Sequence, residues 1–349
     1  MKPRLLALQI KRIGDLILTA PALARLRQAR PEAAITLVTM GPAGQLAPAL
    51  PSVDEHFNYR RGRPNLALWS DLATGGYEAV LDFNGLDRSV LMTWLTQAEI
   101  RATYEKRRQG YWRERIYTHA SRARLRDLHT VEHMLALLDT LDLPAPPRHE
   151  PAPPSLVIPA AVAERMDRRL GELGLDRPFA VVHPGTARPE KYWVAGRWAA
   201  VIDAVSAGSG GLPCVITGGS DAAESRHLAE ILAACRGPRP VVLAGSLSLL
   251  ETAAVIARCS LALGVDTAAM HLAAAFQRPQ VALFGPTNPY QWRPWSPVAR
   301  VVLAGQTRPM TEADWLPQMP EVAMEAITVE QVMEAVGDRL SGSGLRVVG

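Results

Sequence analysis

Residues 144–159 read PAPPRHEPAPPSLVIP, with seven prolines in sixteen positions. Proline fixes φ and lacks a backbone N–H, so this run belongs neither in a helix interior nor in a central strand. It reads as a stiff linker between two folded parts. On both sides of it, short apolar runs alternate with helical patterns. Before it, residues 5–10, 35–40 and 79–83 are strand-like. Residues 16–30 place Ile17, Ala20, Leu23 and Leu26 on one helical face, and 129–143 has the spacing of an amphipathic helix. After it, strands are expected at 179–183, 214–217, 241–244, 261–265 and 281–284. Helices are expected between them, over 160–174, 195–207, 221–235, 248–259 and 267–277, with a last one over 329–340. Strands that alternate with helices build a parallel sheet covered on both faces. The expected fold is therefore α/β: two doubly wound halves facing across a cleft at the carboxyl ends of their strands.

Composition narrows the function classes. A chain of 349 residues with 48% hydrophobic and 21% charged residues is long enough for two cores, so wholesale disorder is excluded. The net charge of +4 is too small to imply nucleic-acid binding. It is also unevenly placed. Residues 101–126 hold nine basic residues against two acidic ones, interleaved with Tyr104, Tyr111, Trp112 and Tyr117. Such a stretch is either a solvated, salt-bridged surface or a docking site for an anionic partner. Cys214, Cys235 and Cys259 have neither metal-ligand spacing nor a disulfide pattern, so reduced thiols in the cytoplasm are expected. The apolar stretch near the N-terminus is too short for a signal peptide, and glycines and prolines break the longest uncharged window, 33–53.

Three turns carry the chemistry. Lys11-Arg12-Ile13-Gly14-Asp15 follows the first strand and lacks a dinucleotide fingerprint. Asp15 there serves equally well as a helix N-cap or as a general base at a strand end. The loop from His183 to Trp193 brings Thr186 and Lys191, groups suited to a diphosphate or simply to solvent. The third turn runs Gly264-Val265-Asp266-Thr267-Ala268-Ala269-Met270-His271. A strand, an Asp-Thr turn and a small-residue helix start would expose N–H groups to an anion, or Asp266 and Thr267 would be ordinary caps. His129-Thr130-Val131-Glu132-His133 matches the H-x-x-E-H pattern of zinc proteases, but no third ligand accompanies it, and a chance match is expected. No Asp-x-Asp pair is available to hold a divalent metal on a diphosphate, so a lysine and a helix N-terminus would have to replace it; no metal or cofactor site is expected.

At these residues the chain resembles the bacterial glycosyltransferase family that contains the ADP-heptose:lipopolysaccharide heptosyltransferases (glycosyltransferase family 9). The resemblance rests on IGDLILTAPALARLRQARP near the start, LDFNGLDRS (81–89) and the HPGT…EKYW segment. It extends to DTAAMHLAAAFQRPQVALFGPTNP (266–289) and AMEAITVEQV (323–332), in order along nearly the whole chain.

The resemblance implies a GT-B architecture with an acceptor-binding domain (1–150), a nucleotide-sugar-binding domain (151–325) and a C-terminal helix (326–349) folding back on the first. It implies metal-independent, inverting transfer of heptose from ADP-heptose to a lipopolysaccharide core acceptor. Asp15 would then be the base, with Lys191 assisting catalysis. Gly14, Thr186, Lys191, Glu224, Asp266, Thr267, Ala268 and His271 would contact the donor. Arg88, Arg107, Arg108, Arg113 and Arg115 would receive an anionic glycolipid acceptor. The expected enzyme is a cytoplasmic monomer in peripheral contact with the inner membrane surface, with no nucleic-acid partner. Two positions depart from the family pattern. Ala268 stands where glycine is usual, and 306–324 lacks the cysteines often found there. The competing readings on the same fold are a transferase of the same family using another nucleotide sugar or acceptor, a nucleotide-sugar epimerase or hydrolase, and a degenerate sugar-nucleotide binder.

Overall fold

The computed structural model describes residues 2–143, 156–207, 211–311 and 314–340. Most of the proline-rich linker reading, 144–155, lies outside the described residues. The chain divides into two compact units, Met1–Val157 and Ile158–Gly349.

The first unit runs β1 (Arg4–Gln9), α1 (Ile13–Ala29), β2 (Ala34–Met40), β3 (Glu55–Tyr59), α2 (Leu66–Thr74) and β4 (Ala79–Asp82). It continues with α3 (Asp87–Thr96), β5 (Ile100–Tyr104), α4 (Glu105–Arg108), α5 (Tyr111–Ile116), β6 (His119–Ser121) and α6 (Thr130–Leu135). Its six parallel strands lie in the order β3-β2-β1-β4-β5-β6. β1 shows why: Leu5, Leu6, Ala7 and Leu8 are all buried, the continuous apolar run expected of a strand covered on both faces. α1 packs with α6, while α2, α3 and α5 are successive neighbours in another helical layer.

The second unit starts with α7 (Ala160–Glu172), β7 (Ala180–His183), α8 (Ala195–Ser206), β8 (Cys214–Ile216), α9 (Ala222–Ala234) and β9 (Val241–Val242). It continues with α10 (Leu249–Arg258), β10 (Leu261–Val265), α11 (Ala268–Ala275), β11 (Gln280–Phe284), α12 (Pro289–Trp292), β12 (Ala299–Leu303) and α13 (Val329–Leu340). Its strand order is β12-β11-β10-β7-β8-β9, all parallel, so both units repeat one doubly wound topology. Each sheet reverses direction of growth between its first and fourth strands. The β1/β4 and β7/β10 edges are thus the two switch points, where open α/β sheets bind ligands.

Local signals set the helix starts. Ser248 caps α10 by accepting from the Glu251 N–H at 3.3 Å, while Glu251 accepts from the Ser248 N–H at 2.8 Å. Such a reciprocal box contributes about 1 kcal/mol.

Several expectations change. The resemblance implies a final helix that folds back on the first domain; over the described residues, α13 packs on α8, β11 and β12 of the second unit. Val332, Ala335, Val336 and Leu340 form the buried stripe, and Trp193 Nε1 donates to the Ile327 carbonyl at 3.1 Å just before it. The helix expected over 129–143 stops at Leu135 and gives way to a 3₁₀ turn, Leu138–Leu141, ended by Asp142 at φ 52°. β3, β5, β6 and β12 are strands that the apolar pattern did not reveal. No helix among the described residues is long and apolar enough to cross a membrane.

Candidate active site

The second unit gathers its polar residues at the β7/β10 switch point. Asp266 leaves the end of β10, and its N–H donates to the Leu283 carbonyl of β11. Lys191 sits in a 3₁₀ turn, Pro189–Lys191, after β7. Its Nζ lies 2.5 Å from Asp266 Oδ2 and 3.3 Å from the Asp266 carbonyl oxygen. The Thr287 hydroxyl donates to the same Oδ2 at 2.9 Å. The lysine is therefore neither a solvated charge nor a free one: it is nine-tenths covered and ion-paired.

Thr267 is the N-cap residue of α11, yet its side chain caps nothing. Its buried Oγ1 has no hydrogen-bond partner among the described residues. The first N–H groups of a helix have no intrahelical acceptors, so this end of α11 presents donors and a positive dipole beside Lys191. Ala268 is the first helical residue. His271, one turn in, is 5% exposed; burial lowers its pKa, with Asp266 opposing that shift and Lys191 adding to it. Burial thus favours the neutral imidazole.

Thr186 is buried, and its Oγ1 accepts from the Arg188 N–H at 3.2 Å, which shapes the loop. Glu224, on the first turn of α9, accepts from the Gly219 N–H at 2.5 Å. It also packs over Gly185, where a Cβ would clash with Glu224 Oε2. Glu224 and the Thr186 loop thus share one place, and burial raises the Glu224 pKa. Asp221, not Glu224, caps α9.

In the first unit, α1 begins at Ile13 with Arg12 as its N-cap. Gly14 is accordingly a helical residue and not a separate turn, and it lies in a different unit from the other donor candidates. Asp15 is in the first helical turn and is not the cap. Burial raises its pKa, while Lys11 and backbone donors at Arg12 pull it down. Burial in turn lowers the Lys11 pKa, against the pull of Asp15. A partly covered carboxylate beside an ammonium, at the β1/β4 switch point, has the surroundings of a base.

Behind it, the buried Asp82 carboxylate is fully bonded. Oδ1 accepts from the Asn84 and Gly85 N–H groups at 2.8 and 2.9 Å, and Oδ2 accepts from Tyr117 at 2.5 Å. Asn84 Oδ1 accepts from the Ile10 N–H at 3.1 Å, so this network braces the strand end that leads to Lys11. His133 stacks on Tyr104 with ring centroids 3.8 Å apart. Burial, with Lys11 and Arg107 adding to it, drives the His133 pKa down to about 4. His129 caps α6 and Glu132 bonds the His129 N–H, so the zinc-like pattern is occupied as a capping box. Among the described residues no group of three or more His, Cys, Asp or Glu is placed to hold a metal ion.

The basic residues divide by role. Arg107 packs its aliphatic stem over Gly85, whose φ of 57° and missing Cβ permit the approach. Arg113 is committed: it donates to the Gly85 carbonyl and to Asp87 Oδ1, each at 2.5 Å. Arg115 lies over the Tyr111 ring, 4.1 Å from its centroid. Arg88 Nη1 reaches Met40 Sδ at 3.5 Å, and Arg108 Nε is buried without a partner among the described residues. The sequence reading missed Arg60, Arg61 and Arg63, an exposed loop after β3 on the same strand-end edge as Asp15. Its signal was present: three arginines around a glycine, directly before a helix.

The family model for glycosyltransferase family 9 (heptosyltransferase) matches residues 65–320. Lipopolysaccharide heptosyltransferase 3 of Escherichia coli is 26% identical over 340 residues, 95% of this chain and 97% of the relative. Among solved structures, the glycosyl transferase family 9 protein of Veillonella parvula aligns with a TM-score of 0.82 at 23% identity, over 98% of both chains. The ADP-heptose lipopolysaccharide heptosyltransferase II of E. coli aligns at 0.78 and 22% identity, over 98% of this chain and 99% of that one. The two structural likenesses bear on the fold.

Proposed function

The chain belongs to glycosyltransferase family 9, the heptosyltransferases, and on that premise we propose that it transfers heptose from ADP-heptose to a lipopolysaccharide core acceptor, without a metal and with inversion. The observation that carries this reading is the Lys191–Asp266 pair beside the open N-terminus of α11. A departing ADP develops negative charge on its diphosphate. A fixed ammonium and a row of helix N–H donors stabilise that charge without reorganising, which is the role a divalent metal fills elsewhere. The free Thr267 hydroxyl and the Thr186 loop supply further hydrogen bonds. Glu224 is suited to accept from hydroxyls of the nucleoside, and Asp266 is the carboxylate closest to the sugar.

Asp15 removes the acceptor proton as the new bond forms. Its raised pKa suits a base that must hold a proton after attack. Arg88, Arg107, Arg108 and Arg115, with the loop of Arg60, Arg61 and Arg63, supply positive charge for a phosphorylated, carboxylate-bearing glycan. Arg113 acts by holding α5 in place. Such an acceptor is anchored in a membrane, so the enzyme works from the cytoplasm at the inner surface. One named relative supports the acceptor class: a lipopolysaccharide heptosyltransferase matched over almost its full length.

The test is a panel of ADP-, UDP- and GDP-sugars, read first by thermal shift and then by product mass with a heptose-deficient core acceptor and excess chelator. Stabilisation by ADP-heptose and addition of one heptosyl residue are expected. Preference for another nucleotide, or loss of activity with chelator, contradicts the reading.

A further inference from the structure

We propose that the outer face of the α2–α3–α5 layer of the first unit docks on an anionic phospholipid bilayer, through Leu91, Trp94, Tyr111 and Trp112. This deepens the acceptor reading and rests on it for the choice of surface, although the docking itself needs no transfer activity. The layer has an inward face that is ordinary. On α3, Ser89, Val90, Met92, Thr93 and Thr96 are buried. The outward face is not: Leu91 is 47% and Trp94 50% exposed, one helical turn apart on the same side. On α5, Tyr111 is 63% and Trp112 72% exposed. Leu66, at the start of α2, is 75% exposed. Scattered exposed leucines are unremarked on most proteins, but two tryptophans and a tyrosine on adjoining helices are not.

These side chains are held, not dangling. The paired bonds from Arg113 to Asp87 and the Gly85 carbonyl fix α5 against the start of α3. Tyr111 and Trp112 meet edge to face with centroids 5.5 Å apart, and the Arg115 guanidinium lies over the Tyr111 ring. Rigid aromatic groups lose little entropy on burial in an interface. Exposed or half-buried basic residues belong to the same layer: Lys106, Arg107 and Arg115 on α4 and α5, and Arg60, Arg61 and Arg63 in the loop that leads into α2. Aromatic rings together with basic side chains match the chemistry of the headgroup region, where rings sit among acyl carbonyls and cations meet lipid phosphates. A second copy of the chain is the poorer occupant, because a two-fold contact would press this basic face against itself. α2, α3 and α5 all leave carboxyl ends of strands on the edge that holds Asp15, so docking brings that edge toward a lipid-anchored acceptor.

The experiment uses the full chain and vesicles of phosphatidylglycerol with phosphatidylethanolamine, against phosphatidylcholine alone. Wild type is expected to sediment with the anionic vesicles, more weakly as salt rises, and its tryptophan emission to fall when brominated lipid is included. The Trp94→Ser/Trp112→Ser variant is expected to partition about tenfold more weakly and lose that quenching. Trp112→Ser alone, at the most exposed of these aromatic positions, provides a milder second variant. Both variants are expected to keep wild-type transfer to a water-soluble, delipidated acceptor. Unaltered partition of the variants, no partition of wild type at low salt, or a dimer that the substitutions separate would each overturn the proposal. Vesicle binding by a wild type that transfers nothing to the soluble acceptor would overturn the activity reading and support the docking.

Discussion

Lys191 Nζ and Asp266 Oδ2 lie 2.5 Å apart, with side chains 11% and 9% exposed, at the point where the second sheet reverses its direction of growth. A buried pair of this kind is costly to break, because the survivor is left charged and desolvated. Its value to the protein is therefore placement: the ammonium is fixed beside the start of α11 before any ligand arrives.

Lys191→Met is expected to lower stability by about 3 kcal/mol, toward the lower end for a broken buried pair because both groups keep some solvent. It should also lower kcat by roughly 10²–10³, as loss of one fixed charge-stabilising donor does. Lys191→Met/Asp266→Leu should recover much of the stability and none of the activity. Denaturant unfolding and steady-state transfer separate the two effects.

Asp15→Asn is expected to abolish transfer while making the protein more stable at neutral pH. Burial raises the folded-state pKa of Asp15 above its unfolded value. Its contribution to stability is then fully present below the ordinary carboxylate pKa and is lost as pH rises through the raised one. The gain from Asp15→Asn should accordingly appear above that window and vanish in acid. In wild type, kcat/KM should climb with pH through an inflection above the usual aspartate range. Melting curves and rate profiles across pH check both.

The two units differed in how openly their sequences displayed them. β10 and β11 are short, wholly buried runs, and β7 is buried up to His183; all three lie between helices with clear ends, and their positions followed from apolar content alone. β5 hid because Arg101 interrupts it; its guanidinium is satisfied by the Ile116 carbonyl at 2.5 Å, a bond across fifteen residues that no local pattern reveals. β12 hid in the same way, opening Ala299-Arg300 after a proline-rich bend. The helix at 129–143 had the right period, but Thr140 bonds back to the Leu137 carbonyl and Asp142 turns left-handed, so the period continued where the helix did not. For the site, residue types at Asp15, Lys191 and Asp266 were visible. Their pairing was not: Lys191 meets Asp266 across 75 residues, and Glu224 meets Gly185 only through the fold.

Ala268→Gly tests the departure at the start of α11. Removing the methyl is expected to lower KM for the donor by relieving a close approach of phosphate to the backbone. The change should cost about 0.5–1 kcal/mol of helix stability, since glycine loses more freedom on folding. Donor titrations together with melting curves measure the two.

Arg107→Glu/Arg108→Glu is expected to raise KM for the anionic acceptor steeply and leave donor affinity unchanged. The acceptor effect should shrink at high salt, as screened charges require. Kinetics with each substrate varied in turn at two ionic strengths provide the check.

The most direct test pairs a binding isotherm with a transfer assay on Asp15→Ala, using ADP-heptose and a heptose-deficient lipopolysaccharide core in the presence of excess chelator. Wild type is expected to bind ADP-heptose and add one heptosyl residue under these conditions. Asp15→Ala is expected to bind the donor with wild-type affinity and to form no product. Transfer by Asp15→Ala at the wild-type rate, or transfer by wild type that chelator abolishes, would contradict a metal-independent displacement with Asp15 as its base.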